Sequence, residues 1–366
     1  PIALDATVCP HCQSPQSPAS RERKLLNSIL FWVGVSTALI SLILGFDQVK
    51  GLFKNFRHSR GEISQLVASG NAERDRGDYA VALDSYESAS QLDANNLRIQ
   101  GEEAKLAMLW LENMHAGGDG FTPIANKLLP ILDRALTRAQ GAQAADLLAH
   151  VGWAHFLRLR DGADEGTVIE DSFRRALALD SGNPYAHAMW GFWILWQSGK
   201  LQDADQHFGA ALASGRVRPY VRELEISALN NTDRLDTETE LIRVSDDMRK
   251  RNETMSAPDR SRILSSYERK LPHHDELAQL LGALPPADAQ ATYQWLDAGS
   301  DRPETKDEAQ RRRWRRVFVE ASIEEVADHR PEALAMYRSL QSELHGSDSS
   351  LEPSVADALA RLSPKP

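Results

Sequence analysis

The sequence predicts an all-α protein, an array of antiparallel helix pairs preceded by a single transmembrane helix. Three observations predict it. Leu25 to Phe46 carries no charged side chain and is bounded by Lys24 and Asp47. From Gly61 onward apolar residues recur at helical spacing, with Gly and Pro clusters between the periodic stretches. Ala, Leu, Arg, Glu and Gln are plentiful and β-branched residues sparse, a mix that favours helices. Val and Ile occur singly inside helical stretches, so no strand pattern competes.

The chain has 366 residues, of which 42% are hydrophobic, enough to bury a substantial core. A mean hydropathy of −0.42 excludes a polytopic membrane protein. The formal net charge of −10 argues against non-specific binding to nucleic acid, and no nucleic-acid partner is expected. Cys9 and Cys12 are the only cysteines, which rules out a disulfide framework for the bulk of the protein. Five segments follow from the pattern: a leader (1–24), a transmembrane helix (25–46), a juxtamembrane linker (47–62), a clear repeat region (63–215) and a degenerate helical region with a C-terminal cap (216–366).

The leader is loop-like, with Pro, Ser and Gln prominent from Ser14 to Pro18, then Arg21, Arg23 and Lys24. The uncharged run after it spans roughly 33 Å as a helix, enough for the hydrocarbon core of a bilayer. It is too long for the apolar region of a signal peptide, and no small-residue cleavage site follows. A retained anchor is therefore expected. Gly34 and Ala38 form a small-xxx-small pair on which a second helix can pack, so a homo-oligomer is one partner the sequence admits.

The clearest repeat unit reads Leu66, Gly70, Gly77-Asp78-Tyr79, Ala82, Tyr86, Ala89, then Leu92-Asp93-Ala94-Asn95. Gly70, Ala82 and Ala89 let two antiparallel helices approach closely. Tyr79 and Tyr86 fill the space between them, and Gly77-Asp78 makes the turn. The pattern returns as Gly152, Phe173 and Ala176, with a longer turn over Asp161 to Gly166, and again as Gly191, Ala204, Phe208 and Ala211. An echo runs from Ala321 through Asp328 and Tyr337 to Leu340. The unit resembles the tetratricopeptide repeat, whose frame of about 34 residues fits 63–96 without a gap. The family's proline near the end of the second helix is Ala94 here. Further helices are expected near 99–115, 124–138, 218–230, 235–250, 257–269, 274–283, 287–298 and 353–363. A helix pair of this kind cannot bury its apolar face alone, so the resemblance implies an α-solenoid of stacked pairs with a concave face.

Several short features bear on chemistry. Cys9-Pro10-His11-Cys12, following Pro-Ile-Ala-Leu-Asp-Ala-Thr-Val, looks like the second knuckle of a zinc ribbon. A structural zinc site uses four ligands, usually two such cysteine pairs. One pair is present, and the sequence opens at Pro1 where the first pair would end. The expectation is that upstream residues complete a Zn²⁺ site with Cys9 and Cys12, and that His11 would serve as a ligand only by distorting the knuckle. The alternatives are free thiols in a leader or a redox pair, the latter without its βαβ context.

Met189 to Trp196 is unusually apolar but too short to span a bilayer, and it falls where a repeat's first helix belongs. Core packing is expected, with one or two aromatic rings facing the groove. Arg311-Arg312-Arg313-Trp314-Arg315-Arg316 is a dense basic patch. It reads either as a docking site for an acidic, phosphate or headgroup ligand with Trp314 stacking, or as a solvated face balanced by Glu304, Asp307, Glu308 and Glu320. His273-His274-Asp275-Glu276 after Pro272 reads as a helix start rather than a metal site. No metalloprotease, nucleophile-elbow, phosphate-loop or dinucleotide motif occurs, so no enzyme activity is expected.

Basic residues flank the anchor on both sides, so charge does not orient it. Reduced thiols suit the cytosol, which places the N-terminus there and the repeats outside it, in the periplasm of a bacterial envelope or beyond a plasma membrane. The expected function is a membrane-anchored scaffold that binds a protein or peptide partner and helps assemble or localise a complex. The alternative is an envelope-biogenesis regulator or enzyme subunit whose activity lies in the C-terminal half. Groove residues expected on first helices are Asn71, Arg74, His155, Arg158 and Trp196, joined by Arg312, Arg313, Trp314 and Arg316 on the basic helix.

Overall fold

The computed structural model describes residues 60–114, 120–163, 166–300, 305–345 and 350–363. Cys9, Cys12 and the expected membrane helix 25–46 lie outside the described residues. Among the described residues every regular element is a helix, and none is long and apolar enough to cross a membrane. The chain divides into two compact units, Pro1–Leu106 and Ala107–Pro366.

In the first unit, α1 (60–76) and α2 (Tyr79–Leu92) form a hairpin, and the first part of α3 (Leu97–Glu112) follows. Gly77 takes φ +86°, a left-handed conformation that glycine adopts without a Cβ penalty. There the N–H of Gly77 reaches the Arg74 carbonyl and that of Asp78 the Glu73 carbonyl. Tyr86, Ala82 and Ala89 are fully buried between the helices, while Tyr79 is half-buried. The Tyr86 hydroxyl donates to Asn71 Oδ1 at 2.7 Å. α3 starts two residues ahead of the expected 99 because Asn96 caps it: its side-chain oxygen accepts from the N–H groups of Arg98 and Ile99.

The second unit holds the rest of α3, then α4 (Thr122–Leu136), followed by three pairs. These are α5 (Gly141–Arg160) with α6 (Gly166–Leu179), α7 (Pro184–Ser198) with α8 (Leu201–Ala213), and α9 (Arg218–Asn230) with α10 (Leu235–Lys250). Close approach within the pairs has the same cause each time. A Cβ on Gly152 would stand 2.9 Å from the Phe173 ring, and one on Gly191 3.1 Å from the Ala204 carbonyl oxygen. Ala176, Ala204, Phe208 and Ala211 are buried beside them. The first helices also pack on one another, α5 on α7 and α7 on α9, so they form a row within this unit.

After α10 the neighbour pattern changes. The helices α11 (Ala257–Lys270), α12 (His274–Leu281) and α13 (Pro286–Ala298) all touch α10, and α13 touches both α11 and α14 (Lys306–Val326). α14 then pairs with α15 (Arg330–Leu344), and α16 (Glu352–Leu362) closes on α15. Prolines sit in the first turn of α4, α7, α9, α11, α13, α15 and α16, where the missing N–H costs no helical bond. Thr305 and Glu308 close a reciprocal capping box on α14. The apolar run 189–196 lies within α7: Met189, Phe192, Trp193 and Leu195 are buried, and Trp196 is 46% exposed.

Candidate functional site

The row of first helices carries a linked set of polar side chains in the second unit. It is tied together at the start of α7 by Asn183, which is fully buried. The Asn183 Oδ1 accepts from the Ala186 N–H at 2.9 Å, capping α7, while its Nδ2 donates to Asp146 Oδ1 on α5 at 2.6 Å. One amide therefore both starts a helix and fixes it to the preceding pair.

One turn further along α5, His150 is fully buried between two acceptors. Its Nδ1 lies 2.7 Å from the Asp146 carbonyl oxygen and its Nε2 3.0 Å from Glu112 Oε1. A carbonyl only accepts, so Nδ1 carries a proton. Trp153 Nε1 donates to the Leu111 carbonyl at 3.3 Å, holding the end of α3 against α5.

Rings continue this chain across the row. His150 and Tyr185 lie 4.7 Å apart, and Tyr185 and Tyr220 5.7 Å apart, both pairs tilted. Burial, followed by the charges of Glu112 and Asp146, pushes the Tyr185 hydroxyl above its ordinary range, and it hydrogen-bonds Glu112. Burial raises Tyr220 well above its ordinary value too, with the Glu112 charge next in size. The Tyr220 hydroxyl is out of reach of solvent and has no hydrogen-bond partner among the described residues. At the other end of the row an aromatic cluster joins Trp153, Phe156 and Phe192, with Trp196 edge-on to Phe156 at 5.4 Å. The Arg160 guanidinium lies 4.9 Å from the centre of the Phe121 ring.

The residues expected to bind from sequence fall in three places. Asn71 and Arg74 belong to the first unit and are engaged there. Asn71 accepts from Tyr86, and Arg74 pairs with Asp75 and Glu102 at 3.0 Å each. His155 and Arg158 are half-buried on α5, and Trp196 is exposed on α7. Arg312, Arg313, Arg315 and Arg316 of the basic helix each pair with a carboxylate on another helix. Asp297, buried at the end of α13, accepts from both Arg312 and Arg316. Arg313 pairs with Glu343 at 3.0 Å, and the Trp314 indole N–H donates to the same carboxylate. Arg315 pairs with Glu268 at 2.7 Å. Of the carboxylates expected to balance the run, Glu308 caps α14, Glu320 accepts from Gln294, and Glu304 lies outside the described residues. The reason is geometric: a short helical spacing brings charges near, but buried Asp297 holds a fixed acceptor where α13 meets α14.

His274 begins α12 and its Nε2 lies 3.1 Å from Glu325 Oε1 on α14. His187 and His207 approach through their Nδ1 atoms at 3.0 Å. Among the described residues no group of three or more His, Cys, Asp or Glu could hold a metal ion. Sequence reasoning missed Glu112, His150, Tyr185, Tyr220 and Asp297. The only trace of the tyrosine pair was their equivalent position near the start of successive first helices, which shows once the pairs are in register.

No protein-family model and no curated protein matches the chain. Among solved structures it is similar to a tetratricopeptide repeat protein from Parabacteroides merdae, with a TM-score of 0.36 and 13% identity over 82% of this chain and 99% of the other. It is also similar to the TPR2AB domain of yeast Sti1 in its pHSP90 complex, with a TM-score of 0.26 and 12% identity over 83% of this chain and 99% of that one. Both scores fall below 0.5, so the helix-pair assignment stands on the internal packing of α5 to α10.

Proposed function

We propose that the chain is a membrane-tethered, non-enzymatic scaffold. Residues 25–46 hold it on a plasma or bacterial inner membrane, and the helix-pair array receives a protein or peptide partner. The observation that carries this reading is the row formed by α5, α7 and α9. Repeated pairs stack their first helices side by side, which builds a large preformed surface, and little ordering entropy is lost when a segment settles on it. The half-buried tyrosines 185 and 220 and exposed Trp196 supply rings of the kind that anchor such contacts. The repeats are assigned to the extracytoplasmic side, with the N-terminal leader in the cytosol. Zinc, where bound, would use the Cys9 and Cys12 thiolates, and metal content should fall in a Cys9→Ser/Cys12→Ser chain.

Membrane cross-linking followed by mass spectrometry tests the scaffold reading. The expected result is one partner recovered in stoichiometric amount, with cross-links concentrated on α5, α7 and α9. Cross-links scattered evenly over all helices, or turnover of a substrate by the purified chain, would sink it. A cytosol-only reporter fused after residue 366 should stay silent, and an active one reverses the orientation.

A further inference from the structure

The cavity between α11, α13 and α14 is lined by three polar groups that bond to no described residue. Its volume is about 460 Å³. Arg311 of α14, Ser261 of α11 and Tyr293 of α13 all line it. Arg311 is exposed and forms no ion pair or hydrogen bond with a described residue. Ser261 lends its carbonyl to Ser265, but its hydroxyl is unengaged. Tyr293 is 6% exposed, and its ring packs edge-on to Tyr267 at 5.3 Å while its hydroxyl makes no hydrogen bond. Burial and the neighbouring Asp297 and Glu268 push that hydroxyl above its ordinary range, so it stays a neutral donor across the physiological pH range.

The carboxylates at the same cavity are already spent. Glu268 pairs with Arg315, and Glu308 closes the capping box with Thr305. Asp297 is a single carboxylate shared by two guanidiniums, Arg312 and Arg316. With Arg316 on Asp297 included, four guanidiniums (Arg311, Arg312, Arg315 and Arg316) stand against the three carboxylates Glu268, Asp297 and Glu308, which leaves one positive charge, and Ser261 and Tyr293 add two hydroxyl donors from two further helices. Donors of that kind, carried by three different helices, suit a compact oxyanion with several acceptor atoms better than a planar carboxylate, which one guanidinium satisfies in a bidentate pair.

We propose that this cavity binds a phosphate group, with Arg311 as its charged contact and the Ser261 and Tyr293 hydroxyls as its neutral ones. The proposal concerns this site alone and stands or falls independently of the scaffold reading. The phosphate can come from a soluble small molecule or from a phosphorylated side chain, and the two arms of the test separate them.

³¹P NMR line broadening and calorimetry on the full chain provide the measurement, with inorganic phosphate, O-phosphoserine flanked by acetyl and methylamide groups, and acetyl-glutamate methylamide as probes. Both phosphate probes are expected to bind. A charge-assisted contact corresponds to about 10-fold to 100-fold in affinity, so Arg311→Gln should weaken both by at least about 10-fold. Tyr293→Phe keeps the buried ring and should weaken them about 3-fold to 10-fold. Arg313→Gln, whose partner is Glu343 outside the cavity, should leave binding unchanged. Tighter binding of the phosphoserine probe than of inorganic phosphate assigns the source to a protein side chain, and the reverse to a small molecule. The proposal is overturned if neither phosphate probe binds, if Arg311→Gln or Tyr293→Phe binds like the parent chain, or if the glutamate probe binds equally well. Binding only to vesicles of phosphatidylcholine and phosphatidic acid, with no response to soluble phosphate, overturns it as well.

Discussion

Gly70 and Tyr86 share one space: a methyl group added to Gly70 would lie 2.6 Å from Cε1 of the Tyr86 ring. The ring cannot move aside, because Tyr86 is fully buried and its hydroxyl is held by Asn71. Gly101 in α3, with nothing within 4 Å of its would-be Cβ, provides the contrast. Both glycines are helical, so an alanine gains about 1 kcal/mol of propensity at either. At Gly70 the overpacking cost of about 1–3 kcal/mol outweighs that gain. Gly70→Ala should lower the urea midpoint and Gly101→Ala should raise it. Movement of both in the same direction contradicts the close approach.

The glycine positions also explain why the helix pairs α1–α2, α5–α6 and α7–α8 were legible in the sequence. At Gly70, Gly152 and Gly191 one helix needs a residue without a side chain, and its partner supplies the aromatic Tyr86, Phe173 or Phe208. Proline marks the first turns of α9, α11 and α13, so those helices begin where the sequence indicates. One start, expected at 124, was misplaced because its cap comes from elsewhere. α4 begins at Thr122 because Asp161, far along the chain, accepts its first N–H groups. The polar sites were less legible for the same reason. Glu112 meets His150 across 38 residues, and Arg313 meets Glu343 across 30, and neither separation leaves a local pattern.

Asp297 offers a test of how far burial decides an ion pair. Its carboxylate is buried, but its partners are not: the Arg312 side chain is 27% exposed and that of Arg316 44%. Both guanidiniums regain water once the carboxylate is gone. Asp297→Ala should therefore cost about 1–3 kcal/mol, the range for losing charged hydrogen bonds, rather than the 3–5 kcal/mol of a sealed pair. Chemical denaturation measures the difference, and a loss near the upper range would mean that solvent does not reach the stranded side chains.

Glu225 gives stability a pH dependence of unusual sign. Burial raises its carboxyl to about 7 from 4.5; Arg222 opposes the rise, and the nearby Asp205 and Glu240 charges add to it. The folded chain thus holds this proton more tightly than the unfolded chain. The associated stability is fully present below the unfolded value of 4.5 and is lost as pH rises through about 7. Glu225→Gln keeps an acceptor for Arg222, whose guanidinium also pairs with Asp247 and Glu253. The variant should lose less stability than the parent between pH 5 and pH 8. Equal losses in the two chains would remove Glu225 as the cause.

Tyr220 carries a hydroxyl that is buried and has no partner among the described residues. An unsatisfied buried donor costs about 1–3 kcal/mol, so deleting it should help. Tyr220→Phe is expected to raise the melting temperature, by the equivalent of up to about 1 kcal/mol. A lower melting temperature would show that the hydroxyl has found a partner in solution.

The capping of α4 by Asp161 has a consequence for the chain as it is made. The carboxylate accepts from the N–H of Phe121 and of Thr122 at 2.6 Å each and from the Thr122 hydroxyl at 2.8 Å, across 40 and 39 residues. A ribosome adds roughly 5–20 residues each second, so α4 leaves the exit tunnel about 2–8 s before its cap does. During that interval its first turn has no carboxylate to close it. The helix is completed from behind, once α5 has been synthesised to its end, which makes α4 and α5 a single unit of nascent-chain folding.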